Sequence, residues 1–191
     1  DGYTIGSSPL KLGQVNEIAK ILGTLHRSTE DLPAHLMKQL PRENFDIGFC
    51  RSLYKFIKND LVSKHDAVLR IVKPFAGYLL DNIKRMKYLA ETLKKKPKHY
   101  VLCHGDLHYW NMIQSKHIKL IDWECANLAP PEQDLILHIA GQNAELFLSV
   151  YREYITSCAL DLDALEFYLL KRRLAYVWLS IQDWWSEEGF E

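Results

Sequence analysis

One short segment constrains this chain more than any other: CHGDLHYWNMIQSKHIKLIDWE, residues 103–124, set between long stretches of helical spacing. Tyr100-Val101-Leu102, just before it, is apolar and partly β-branched. Met112–Gln114 and Ile118–Ile121 have the same character, and the polar stretch Ser115-Lys116-His117 separates them. Two short strand-like runs around a short polar link predict a hairpin. The fold class expected is therefore mainly α with a small β-hairpin cluster just past the middle.

The rest of the chain reads as helices. Ser8 and Pro9 make a good helix opening, and Leu12, Val15, Ile18, Ala19, Leu22 and Leu25 recur mostly at spacings of three and four, predicting a helix over 9–26. Residues 27–33 are loop-like. Helical spacing returns over 47–62 and 67–95, with Pro74 beginning or kinking the second stretch. The KKKPK run at 94–98 ends it in a solvated basic turn. Residues 122–133, with Pro130-Pro131, read as loop, and helices are expected over 134–155 and 162–187. One domain, 1–191, accommodates all of this: a helical region over residues 1–99, a loop and hairpin over 100–122, then a loop and C-terminal helices over 123–191.

The chemistry-bearing residues cluster in the hairpin segment. Asp106 and Asn111 flank a tight loop, and Asp122 ends the returning strand. A hairpin brings the start of its first strand near the end of its second, which makes Asn111 and Asp122 spatial neighbours. Their amide and carboxylate oxygens are hard ligands suited to Mg²⁺ that already holds phosphate oxygens. Asp106 lies on the same rim, placed to orient a substrate hydroxyl and accept its proton as a γ-phosphoryl group transfers. Asp and Asn also favour turns on their own account, but turn-forming does not require all three at these offsets.

His104-Gly105-Asp106 with Asn111 resembles the catalytic loop of the kinase-like superfamily in its H-G-D-x-x-x-x-N form. That form marks the aminoglycoside phosphotransferase and choline kinase family. Ile121-Asp122-Trp123-Glu124 is similar to the I-D-W-[DE] segment of the same family. The helix ending Leu25-His26 and the run Leu128-Ala129-Pro130 with Asp134-Leu135 agree, and YVLCHGDLH with LIDWE looks most like the spectinomycin-type antibiotic kinases.

The resemblance implies the C-terminal, helical lobe of a protein-kinase-like α+β fold, with the N-terminal lobe absent from this sequence. The start at Asp1, opening directly into turn residues, reads as if cut from something longer. The implied activity is transfer of the ATP γ-phosphate to a hydroxyl of a small polar acceptor, an aminoglycoside or similar hydroxylated amine. ATP and Mg²⁺ are the implied cofactors and the missing lobe is an implied partner. Asp106 is the expected catalytic residue, and Asn111 and Asp122 the expected metal ligands. His108 is either a phosphate contact or a plain loop histidine.

The resemblance gives His104 and Asp134 bracing roles. Glu124 is either a supporting residue behind the metal or a solvated one. Trp178, Trp184 and Trp185 with Asp183, Glu187 and Glu188 suit a cationic ring-shaped substrate. Helical spacing offers a core-facing alternative through Val177, Ile181 and Trp184.

Composition narrows the remaining classes. Lys+Arg 24 balances Asp+Glu 24, which supplies no basic field for nucleic acid. No apolar run is long enough for a membrane span. Cys50, Cys103, Cys125 and Cys158 form no C-x-x-C pair, so neither zinc nor a disulfide framework is expected, and reduced thiols fit a cytoplasmic protein. The alternatives are a non-catalytic kinase-like binding module, a kinase for another metabolite such as choline or a sugar, and a metal-dependent hydrolase.

Overall fold

The computed structural model describes residues 2–6, 9–60, 70–97, 99–155 and 159–187. Helix α1 (Leu12–Arg27) turns the early apolar periodicity into one buried face of Val15, Ile18, Ala19, Leu22 and His26. It opens at Lys11, whose backbone N–H donates to Gln14 Oε1 at 2.9 Å. That bond, one half of a capping box, satisfies the N-cap donor and sets the start later than Pro9. Ser8, the expected cap, lies outside the described residues. A helix of 16 residues is marginal alone, so packing holds it. Each buried leucine-sized side chain is worth about 1.5–3 kcal/mol.

Contacts divide the chain into two units. The first comprises residues 1–43 and 97–165, and holds α1 and the short helix α2 (Ala34–Gln39). Its core joins α1 to Ile5, Leu107, Met112, Ile118 and Leu135, and to Phe147, Val150 and Tyr151 of helix α6 (Ala144–Arg152). Strand β1 (Tyr3–Thr4) pairs antiparallel with β3 (Met112–Gln114), which pairs antiparallel with β4 (Ile118–Leu120), in the order β1-β3-β4. The expected hairpin is present in the register Met112↔Leu120, Ile113↔Lys119, Gln114↔Ile118. Glu17 of α1 fixes it in place, its Oε1 accepting from the Ile118 amide at 2.8 Å. Strand β2 (Val101–Cys103) pairs instead with β5 (Asn127–Ala129), inside the stretch expected to be loop. The pairing Cys103↔Asn127 draws the segment after β2 against the segment before β5.

The helix expected over 134–155 is two pieces, α5 (Glu132–Leu135) and α6, separated by turns through Gly141. Glycine is a poor helix former, and the Ala144 amide turns back to the Gly141 carbonyl at 3.1 Å.

The second unit comprises residues 44–96 and 166–191. Helix α3 (Gly48–Lys55) runs into a π-turn at Phe56–Asp60. Helix α4 (Ala76–Lys95) begins just beyond Pro74 and buries Leu79, Ile83, Met86, Leu89, Ala90 and Leu93 at helical spacing. The last helix, α7 (Leu162–Glu187), supplies Phe167 and Tyr168, which surround Phe45. Arg85 makes a fork with Glu166 at 2.8 and 2.6 Å. Residues 61–69, within two of the expected helices, lie outside the described residues. Among the described residues no helix is long and apolar enough to cross a membrane. Short antiparallel sheets among helices are the arrangement expected of a kinase-like fold.

Candidate active site

The loop between β2 and β3 is held from below by one carboxylate. Asp134 is buried, and its Oδ2 accepts from the His104 amide at 2.8 Å while Oδ1 accepts from the Gly105 amide at 3.0 Å. The bracing expected of Asp134 is what the geometry gives. His104, also buried, donates from Nε2 to the Ile121 carbonyl at 2.8 Å, and its ring lies 4.7 Å from that of Trp123. Loop and returning strand are thereby tied together.

Gly105 takes φ +87 and its backbone rests against the Cys125 carbonyl. That region and that closeness both exclude a side chain. Beyond it the loop winds tightly. The His108 amide donates to the Asp106 carbonyl at 3.0 Å, and the Asn111 amide donates to the His108 carbonyl at 2.9 Å. Asn111 Nδ2 also donates to the Asp106 carbonyl, at 2.9 Å. That bond orients the side-chain amide and leaves its Oδ1 uncommitted among the described residues.

The Ile121 amide donates to the Asn111 carbonyl at 3.0 Å, extending the hairpin by one bond. Asp122 follows in the left-handed region at φ 66, which ends the strand. Asp106, Asn111 and Asp122 therefore share one end of the hairpin, as their spacing predicts. His108 Nε2 stands 3.4 Å from Asp106 Oδ2, and the Asp106 side chain is 40% exposed. Glu124 sits exposed on the turn after Asp122. The Cys125 thiol is pushed up by burial and then by the Asp106, Glu124 and Asp122 carboxylates, so these acids share one neighbourhood.

The donor set fits Mg²⁺: the uncommitted amide oxygen of Asn111, the Asp122 carboxylate and further acids nearby are all hard ligands. Asn111 and Asp122 are the residues that would hold it. The described metal-type cluster lies elsewhere, at His26, Cys103 and Asp134, all buried. It is a poor cation site. Burial and the nearby Asp134 and Glu132 carboxylates hold the Cys103 thiol well up, and Asp134 already accepts two amides.

Three residues near the loop escape sequence reasoning. Trp110 is 60% exposed on the loop between Asp106 and Asn111, its ring edge against Gly6. His26 and Tyr151 are buried behind Asp134. The spacing Leu22-His26 on the inner face of α1 was a signal for a buried polar group, but no pattern names its partners. On α7, Ile181 is buried, Val177 is partly buried, and Trp178 packs edge-on against Phe56 within the second unit. The side chains of Trp184, Trp185 and Glu187, and Glu188 altogether, lie outside the described residues.

The phosphotransferase enzyme family matches residues 12–168. Protein StrN of Streptomyces griseus is 27% identical over an alignment of 147 positions that covers 70% of this chain and 44% of that protein. Among solved structures, spectinomycin phosphotransferase APH(9)-Ia in complex with ADP and spectinomycin is similar at a TM-score of 0.80 and 22% identity, over 95% of this chain and 58% of that one. Choline kinase LicA from Streptococcus pneumoniae is similar at a TM-score of 0.59 and 20% identity, over 100% of this chain and 61% of that one. The chain thus spans between 44% and 61% of the length of these relatives.

Proposed function

Because the chain belongs to the phosphotransferase enzyme family, we propose that it is the C-terminal lobe of an ATP-dependent small-molecule O-phosphotransferase. The observation that carries this reading is the shared hairpin end. Asn111 Nδ2 is bonded to the Asp106 carbonyl, and Asp122 follows directly on the Asn111–Ile121 bond. Relatives that bind ADP with spectinomycin, or act as choline kinase, support nucleotide binding and a small polar acceptor.

In this reading Asp106 orients an acceptor hydroxyl and takes its proton. The hydroxyl oxygen bonds to the γ-phosphorus as the bond from that phosphorus to the ADP oxygen breaks. Asn111 and Asp122 are the residues that would hold Mg²⁺, which would supply positive charge against the phosphate oxygens. His108, when protonated, is shared between Asp106 and the γ-phosphate. Asp134 and His104 keep the loop in shape. The acceptor is an aminoglycoside-like hydroxylated amine, with choline the next choice.

Much of the positioning that phosphoryl transfer needs comes from a nucleotide-clamping lobe. The 191 residues alone therefore bind Mg²⁺-ATP weakly and do not turn over. A γ-phosphate transfer assay across aminoglycosides, spectinomycin, choline and sugar alcohols tests the reading. The assay is run on the chain alone and on the full-length polypeptide that carries it. Turnover by the longer form only is expected, and turnover by the chain alone defeats the lobe assignment.

A further inference from the structure

Behind the loop a second layer of bonds leads away from Asp134. His26 Nε2 lies 3.3 Å from Asp134 Oδ2, and His26 Nδ1 lies 2.6 Å from the Tyr151 hydroxyl. All three residues are at most 1% exposed. For a neutral His26 ring, proton bookkeeping fixes the direction of each bond. The Asp134 carboxylate is an acceptor, since the His104 and Gly105 amides both donate to it. A ring nitrogen with a bare lone pair facing that carboxylate would be repelled, so Nε2 carries a proton and donates. In a neutral ring Nδ1 is then the acceptor, and the short contact requires Tyr151 to be the donor.

The Tyr151 ring is held by packing that does not depend on its hydroxyl. The Tyr151 ring stands edge-on to His26 at 5.6 Å and stacks on Phe147 at 6.2 Å. A phenylalanine in its place retains both ring contacts and loses only the O–H. His26 is buried beyond the reach of bulk water, and no other donor to its Nδ1 is present among the described residues.

We propose that Tyr151 is a positioning residue for the catalytic loop. Its hydroxyl donates to His26 Nδ1 and fixes the tautomer with the proton on Nε2. His26 is thereby kept as a third donor to the carboxylate that grips the loop amides. Two helices, α1 and α6, thus set the orientation of the backbone that carries Asp106. The meaning of this for phosphate transfer rests on the function proposed above, but the bond chain itself is read without any turnover.

Nitrogen-15 NMR of the His26 ring in the 191-residue chain tests the first half. The expected spectrum has a pyridine-type Nδ1 and a pyrrole-type Nε2. A proton on Nδ1, whether from the other tautomer or a cationic ring, overturns the proposal.

Amide hydrogen exchange in Tyr151→Phe tests the second half. Loss of the buried hydrogen bond to His26 is expected to speed exchange of the His104 and Gly105 amides on the order of fivefold relative to the β3–β4 ladder. A merely structural role would loosen loop and ladder together, leaving that ratio unchanged, and this result also overturns the proposal. Should Tyr151→Phe fail to fold, the tautomer in the parental chain decides. Because neither readout is an activity, both stand even if the proposed acceptors prove wrong.

Discussion

A Cβ placed on Gly105 would stand 2.2 Å from the carbonyl oxygen of Cys125. The obstacle is backbone, held in place because β2 and β5 pair on the far side of both residues. Gly105 is also at φ +87, so the position is closed to other residues by conformation as well as by space.

Gly105→Ala is expected to cost at least about 1–3 kcal/mol of stability, the range for a strained backbone position, with the excess depending on how far Cys125 can yield. Urea unfolding of the variant against the parent measures it. Parental stability together with unshifted amide resonances at 104–106 would mean that the loop is built differently.

His138 contributes to the pH response of the same unit. It is buried, lies parallel to Phe147 at 5.0 Å and faces Tyr109 of the loop at 5.8 Å. Among the described residues neither ring nitrogen has a hydrogen-bond partner. Burial lowers its pKa from 6.5 to about 4, against a smaller opposing pull from Asp134. The unfolded chain therefore binds the proton more readily between those values, so stability falls as pH drops from about 6.5 toward 4 and is unaffected by this group above 6.5. The full effect is at most about 3 kcal/mol. His138→Phe should flatten this region of the pH–stability curve relative to the parent. Identical slopes for both proteins would remove His138 as the cause.

Metal binding should follow Asp122. Mn²⁺, as a paramagnetic stand-in for Mg²⁺, is expected to broaden the Asn111 side-chain amide and the Asp122 resonances of the chain first. Asp122→Ala should abolish that selective broadening while leaving the β3–β4 register intact. Broadening centred elsewhere, or unchanged in the variant, would refute the ligand assignment.

The sequence made some of this legible and hid the rest for physical reasons. Met112–Gln114 emerges as expected and Ile118–Leu120 ends one residue short, because two short apolar runs around a polar link leave few registers. Asn111 and Asp122 then had to meet at one end. Strand β1, of two residues, and β5, of three, are too short to carry an alternation of their own. They exist because the neighbouring strands present open backbone. The break at Gly141 was in plain sight, yet the apolar spacing on either side outweighed it. The Tyr151–His26 bond joins residues 125 positions apart, and nothing local announces it.

The central claim is that Asp106 handles the acceptor hydroxyl during phosphate transfer. Steady-state kinetics of Asp106→Asn in the full-length polypeptide, on an acceptor identified by the panel assay, test it most directly. The account predicts a fall in kcat of about 10²–10⁴-fold with little change in KM for ATP. A variant that kept its parental kcat at saturating ATP, with any loss confined to ATP affinity, would contradict it.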